Sequence, residues 1–221
     1  MSIRKVSFVP GEYYHIYNRG NSKQRIFHDT EDQYHFTGLL FACNQKENFK
    51  IDNLQKGKSL YEIEKKSNLV SIGAHVLMPN HFHLLLTESH DGHISKFMQK
   101  LSTAYVMYYN KKYKRTGGLF VGKFKSKHIS TDGQLKYLFS YIHLNPIKLI
   151  DKNWKENGIK DKKKTLNYLK KYIHSSFLDY FGVQRVQNKI IHLEPFPKYF
   201  PNKKSFMREI VEWLSYREPL R

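Results

Sequence analysis

Residues 69–88, LVSIGAHVLMPNHFHLLLTE, constrain the fold more than any other stretch of this chain. Two apolar runs flank a Pro79-Asn80 step. Proline has no amide hydrogen to give a strand ladder and asparagine tolerates turn geometry, so the chain is expected to reverse there. The stretch predicts an antiparallel hairpin with strands over 69–78 and 81–88. Side chains alternate across a strand, so Phe82 and Leu84 share one face while His81 and His83 share the other. Two imidazoles on one face can converge on a single metal ion, since neutral imidazole is a common transition-metal ligand. The chain holds 12 histidines, and an H-x-H pair alone also fits a solvated strand face.

Around the hairpin, YYHIYNRG (13–20) reads as a strand ending in a turn, with Asn18 and Gly20 as breakers. Residues 29–46 open with Asp29, Thr30 and Glu31 and carry apolar residues at helical spacing. From 47 to 68 the chain is polar and lysine-dotted, a short helix or mobile insert. Residues 93–114 predict a long helix ended by Gly117 and Gly118, and LFVGKFKSKHIS an extended segment turning at Gly122. Another helix is expected over 132–150, begun by Asp132 and interrupted near Pro146. Strands interleaved with helices in this way predict an α+β fold: an antiparallel sheet of four to five strands with helices packed on one face. The ferredoxin-like βαββαβ order is its natural form. A lysine-rich linker follows, then one or two helices that include the amphipathic KKSFMREIVEWLSYRE. The organisation read from this is a domain over 1–150 and, over 151–221, a basic linker with a helical C-terminal extension.

Charge points to the partner. The chain has 38 Lys and Arg against 19 Asp and Glu, a net +19. Such an excess attracts polyanions, above all nucleic acid. Between Asp91 and Asp132 there is no acidic residue, while Lys111, Lys112, Lys114, Arg115, Lys123, Lys125 and Lys127 crowd together, interleaved with Tyr113, Phe120 and Phe124. Lysines for phosphates with aromatics for bases is how single strands are held. Tyr105, Tyr108 and Tyr109, by contrast, read as the core face of their helix. No apolar run approaches the roughly 18 residues of a membrane span, and the N-terminal residues lack a signal-peptide core. Cys43, the single cysteine, lies in an apolar helical stretch and reads as core. A reducing cytoplasm fits.

The His pair needs a third ligand, and Glu88 lies at the far end of its strand. Tyr141 and Asn145 are four residues apart and share one helical face, offering a nucleophile and an oxygen ligand together. Tyr137 shares that face, and with 16 tyrosines in the chain spacing alone selects none of them.

The segments YYHIYNRGNSKQRIF, HVLMPNHFHLLL, GGLFVGKFKSK and YLFSYIHLNPIK, in this order and spacing, resemble the single-tyrosine HUH transposases. The likeness is to the REP-associated tyrosine transposases and their insertion-sequence relatives, and it spans about residues 10–150, with a weaker echo in SSFLDYFG. The resemblance implies an HUH endonuclease-like fold, a divalent cation (Mg²⁺ or Mn²⁺) on His81 and His83, and Tyr141 as nucleophile. It places Asn145 where the transposase branch typically has a Gln ligand, one methylene longer. The activity implied is nicking and strand transfer on single-stranded DNA hairpins through a 5′-phosphotyrosine, by a monomer or homodimer, with no small-molecule substrate. It makes Asn18, Arg19 and Lys23 plausible DNA contacts beside the basic run. The competing expectations are a hairpin-binding protein that does not cut and a metal-dependent phosphodiesterase that uses water.

Overall fold

The computed structural model describes residues 7–47 and 57–215. Four strands form one sheet: β1 (Tyr13–Arg19), β2 (Val70–Met78), β3 (His81–Glu88) and β4 (Lys125–Ile129). Helix α1 (Thr30–Ala42) lies between β1 and β2 in sequence, and α2 (His93–Lys112) between β3 and β4. Every pairing is antiparallel and the strand order is β2-β3-β1-β4. With the succession β1-α1-β2-β3-α2-β4, this is the ferredoxin-like arrangement. Part of the polar stretch expected as a short helix or insert lies outside the described residues. Within the rest, Leu60–Glu62 forms a single 3₁₀ turn.

The hairpin forms as its sequence dictates, with Met78 opposite His81 and only Pro79 and Asn80 between the strands. The Pro79 carbonyl accepts from Ile26 and Phe27 amides, and the Asn80 carbonyl from Gly20, which ties the turn to the end of β1. Gly20 has to be glycine for lack of space, since a Cβ there would lie 2.3 Å from the Gln24 carbonyl oxygen. Such a clash with backbone cannot be relieved by a rotamer change.

Helices cover both faces of the sheet, not one. Tyr14, Ile16, Phe82, Leu84 and Leu86 pack against α1 and α2, with Phe36, Phe97, Leu101 and Tyr105 among the fully buried partners. Helix α2 shows why: its buried residues Ile94, Phe97, Met98, Leu101, Tyr105 and Tyr109 recur at helical spacing on one stripe. Tyr105 and Tyr109 are therefore core, as read, and Cys43 is buried in the same cluster, its thiol pushed up to about 12 by burial. Glu88 is taken up at the start of α2, accepting the Ile94 amide at 2.5 Å.

On the opposite face, Ala74, Val76, Met78, Leu85 and Ile129 meet α3 (Asp132–Leu144). The Thr131 side chain caps α3 by accepting from the Gln134 amide. The helix stops before Pro146 and the chain continues as a 3₁₀ turn over Asn145–Leu149. Pro146 lacks the amide that another α-turn would need.

The C-terminal extension folds as α4 (Trp154–Asn157), α5 (Lys162–Lys171), α6 (Phe177–Tyr180) and α7 (Lys203–Ser215). Lys162–Lys164 thus open a helix, capped by Asp161, where a linker was expected. The extension also seals the edge strand β2. Leu77 N donates to the His174 carbonyl and Ser176 N to the His75 carbonyl, a two-bond continuation of the sheet. Tyr172 and Tyr180 hydroxyls donate to the carbonyls of Leu77 and Gly73. Covering an edge in this way removes a template for pairing with other chains.

One buried polar knot joins α3 to the extension. His143 Nε2 lies 2.7 Å from Ser176 Oγ, which also accepts from the His75 amide. Burial pushes the His143 imidazole down to about 3, and that of His75 well below its ordinary value. Above the ordinary histidine value of 6.5 both folded and unfolded chains hold these rings neutral, and stability should be flat. Below it the unfolded chain binds protons that the folded one refuses. Stability is therefore expected to fall as pH drops from 6.5 toward about 3, by about 1.4 kcal/mol per pH unit for His143 alone. Urea midpoints measured across this range check it. Midpoints that stay constant from neutral pH down to about 5 contradict it.

Candidate active site

The β3 register sets the site. Tyr17 faces His83, Arg19 faces His81 and His15 faces Leu85, so these side chains share the α3 face of the sheet. Lys125 and Lys127 on β4 pair with Tyr17 and His15 and point the same way. Helix α3 crosses above them and brings Tyr141 to the cluster: its ring centroid is 5.5 Å from that of His83 and 5.8 Å from that of His15. No described residue hydrogen-bonds the Tyr141 hydroxyl, and the side chain is half-buried.

Both histidines of the pair are held neutral. Burial, then the charge of Arg19 and Lys148, lowers His81 to about 4. Burial, the neighbouring imidazoles and Lys148 put His83 well below its ordinary value. The tautomer of His81 follows from its partner. Asn80 Nδ2 donates to the Lys23 carbonyl, so Oδ1 is the atom 2.6 Å from His81 Nδ1. An amide oxygen only accepts, hence Nδ1 carries the proton and Nε2 presents a lone pair. His83 Nδ1 is 2.8 Å from His15 Nε2. When His83 donates in that contact, its own Nε2 is likewise left as a ligand atom, oriented by a neighbour as metal-binding histidines usually are.

Asn145 stands beside His81. It is 2 % exposed, and neither its amide oxygen nor its amide nitrogen has a hydrogen-bond partner of ordinary geometry. It nevertheless stands near enough to His81 to favour that ring's protonated form. A buried amide with both ends unsatisfied is costly, so something outside the protein is expected to meet it. Among the described residues no three His, Cys, Asp or Glu side chains converge as a ligand set. By donor chemistry, two neutral imidazoles and one amide oxygen fit a divalent ion.

The other expected contacts divide sharply. Arg19, Lys123, Lys125 and Lys127 are exposed, the last two on the histidine face. Lys23 is exposed in the turn after β1, beside Asn80. Lys111 and Lys114 are exposed at the end of α2, in the layer on the other side of the sheet. Arg115 is half-buried against the Tyr109 ring and donates to Gln24.

Two of the expected DNA contacts are employed within the fold. Asn18 is buried and bonded to the Gly122 carbonyl and the Arg19 amide, fastening β1 to the turn before β4. Lys112 inserts between Asp29, Glu31 and Asp32, at 2.9 Å from each. Its charge is already met, and a lysine so held is a poor phosphate contact. Spacing along a basic run cannot reveal carboxylates that arrive from 80 residues away.

Sequence reasoning missed His15, and the structure also draws Lys148 into the surroundings of the His pair. His15 was legible in the alternation Tyr13, His15, Tyr17, which matches the His81, His83 alternation on the partner strand. Lys148 comes close enough for its charge to act on the His pair because the 3₁₀ turn continues the chain past Pro146.

Comparisons with known proteins bear on this geometry. The chain matches the family model described as transposase IS200 like over residues 33–145, a span that includes His81, His83, Tyr141 and Asn145. No curated protein matches it. A solved REP-associated tyrosine transposase bound to a REP hairpin aligns over 85% of this chain and 90% of its own, at 13% identity and a TM-score of 0.49. A tRNA(His) guanylyltransferase from Saccharomyces cerevisiae aligns over 92% of this chain and 87% of its own, at 12% identity and a TM-score of 0.37. No helix among the described residues is long and apolar enough to cross a membrane.

Proposed function

Because this chain belongs to the IS200-like transposase family, we propose that it nicks and rejoins single-stranded DNA by transesterification at Tyr141. One observation carries the reading: Tyr141 stands beside the His81–His83 pair, one helical turn before a buried amide that has no hydrogen-bond partner of ordinary geometry among the described residues. A core tyrosine would not need that company.

In the reaction, the Tyr141 oxygen attacks the scissile phosphorus and the bond from phosphorus to the 3′ oxygen breaks. The phenolic proton passes to solvent and the departing 3′ oxygen takes one up. The products are a 5′-phosphotyrosine and a free 3′ hydroxyl. One phosphodiester replaces another, so attack by a 3′ hydroxyl on the phosphotyrosine reverses the step and joins strands. His81 Nε2, His83 and the Asn145 oxygen would hold Mg²⁺ or Mn²⁺. All three are neutral, so the bound ion supplies undiminished positive charge beside the phosphate oxygens. Imidazole ligands suit Mn²⁺ better than Mg²⁺. Arg19, Lys125, Lys127 and Lys148 surround this face and place the strand's phosphates; the half-burial of Tyr141 limits competing attack by water. Among single-stranded substrates, hairpins with adjacent unpaired bases are the class implied by the resemblance to REP-associated tyrosine transposases.

The test is a denaturing gel of labelled single-stranded DNA incubated with the protein and Mn²⁺. A covalent protein–DNA band is expected, and Tyr141→Phe should abolish it. Cleavage that survives Tyr141→Phe makes water the nucleophile, and retarded DNA that is never cut makes the protein a binder.

A further inference from the structure

Helix α3 and the C-terminal extension enclose a cavity of about 190 Å³. Its walls include Tyr137 and Tyr141 from α3, Trp154 and Lys155 from α4, and Trp213 from α7, with Lys148 from the intervening turn. The rings line it closely. Tyr137 and Trp213 centroids are 4.7 Å apart and inclined at 58°, and Tyr137 and Tyr141 centroids are 6.1 Å apart. The Lys155 ammonium lies 5.1 Å from the Tyr141 ring centroid and donates to the Tyr137 hydroxyl at 3.2 Å.

We propose that this cavity seats one unpaired nucleobase of the DNA strand, next to the phosphate that Tyr141 attacks, with Lys148 and Lys155 on the flanking phosphates. The inference rests on Tyr141 as nucleophile and extends it to a base site built by the extension. Size, chemistry and position argue for this occupant. Drug-sized ligands occupy roughly 300–1,000 Å³, so this cavity has room for a single flat ring system. Aromatic walls with a cationic rim match a base, which is planar and neutral, joined to phosphates, which are charged. Tyr141 is itself one wall, and Lys148 lines the cavity beside it. A strand whose phosphate meets the Tyr141 hydroxyl must pass its neighbouring base along this opening. Residues after 151 thereby gain a role in substrate recognition.

The chain contains only two tryptophans, and both, Trp154 and Trp213, line the cavity. Their fluorescence therefore reports on it selectively. The experiment titrates the full chain with a short oligothymidylate, and separately with an oligomer of equal length made of abasic deoxyribose phosphate. The thymidylate should quench the tryptophans, whereas the abasic strand should not, and should bind at least about 5-fold more weakly, the smallest effect expected for loss of one stacked base. Equal quenching by both strands, or thymidylate bound with fluorescence unchanged, overturns the base site. Tyr141→Phe keeps the ring and should quench like the unaltered protein, which separates this result from the adduct assay. An adduct without base-dependent quenching overturns the cavity's role alone. Base-dependent quenching without any adduct removes Tyr141 as nucleophile and leaves the base site standing.

Discussion

Replacing His83 with alanine is expected to lower covalent adduct formation by about 100-fold or more while leaving strand binding nearly unchanged. The two effects separate because His83 carries no charge at neutral pH and lies 7 % exposed under Tyr141, away from solvent-facing phosphate contacts. Its loss would leave His81 and the Asn145 amide as the protein donors for the proposed ion. It also strands His15, whose contact with His83 orients the pair. Single-turnover adduct formation at saturating DNA reads the first effect, and a salt titration of binding reads the second. A variant that forms adduct at the normal rate would mean that the imidazole pair is an incidental feature of the strand.

The second large effect is on folding. Asp32→Ala is expected to destabilise the protein by about 3 kcal/mol, although Asp32 lies in the layer opposite the histidine face. Its carboxylate is 0 % exposed and accepts from the His28 amide, the Tyr108 and Tyr113 hydroxyls and Lys112. Burial pushes this carboxyl up, but Lys112 and the other donors outweigh that and hold it below the usual range. Removal leaves several buried donors unmet at once, which costs more than any one bond contributes. Urea unfolding followed by circular dichroism measures it. The same knot predicts that Lys112→Met leaves the salt dependence of DNA binding unchanged, because an ammonium already held by three carboxylates releases no counterion on binding. A loss of less than 1 kcal/mol for Asp32→Ala would show that the cluster is a surface ion-pair network of little consequence.

Much of this architecture was legible in the residue pattern. Alternation in 69–88 located the hairpin and oriented His81 against Phe82, because a strand's period of two leaves no freedom once one face is apolar. The helix caps and Pro146 gave the ends of α1 and α3 within a few residues. Choosing Tyr141 over Tyr137 depended on resemblance, since both lie on one helical face and both help wall the same cavity. Other features were beyond local pattern. The sealed edge of β2 comes from segments beyond residue 170 that bond to it, a contact set by tertiary packing. The trap around Lys112 and the tryptophan-lined cavity are likewise products of chain segments far apart in sequence. His15 lay between these cases, visible to alternation once its strand was known to neighbour β3.

The central claim is that Tyr141 is the residue joined to DNA, and peptide mapping of the adduct tests it most directly. Trypsin should release residues 137–148, YLFSYIHLNPIK, which hold Tyr137 and Tyr141 together. After nuclease trimming, fragmentation in the mass spectrometer is expected to place the residual nucleotide phosphate on Tyr141. Finding it on Tyr137 or on any other residue, or finding cut DNA with this peptide unmodified, would contradict the account.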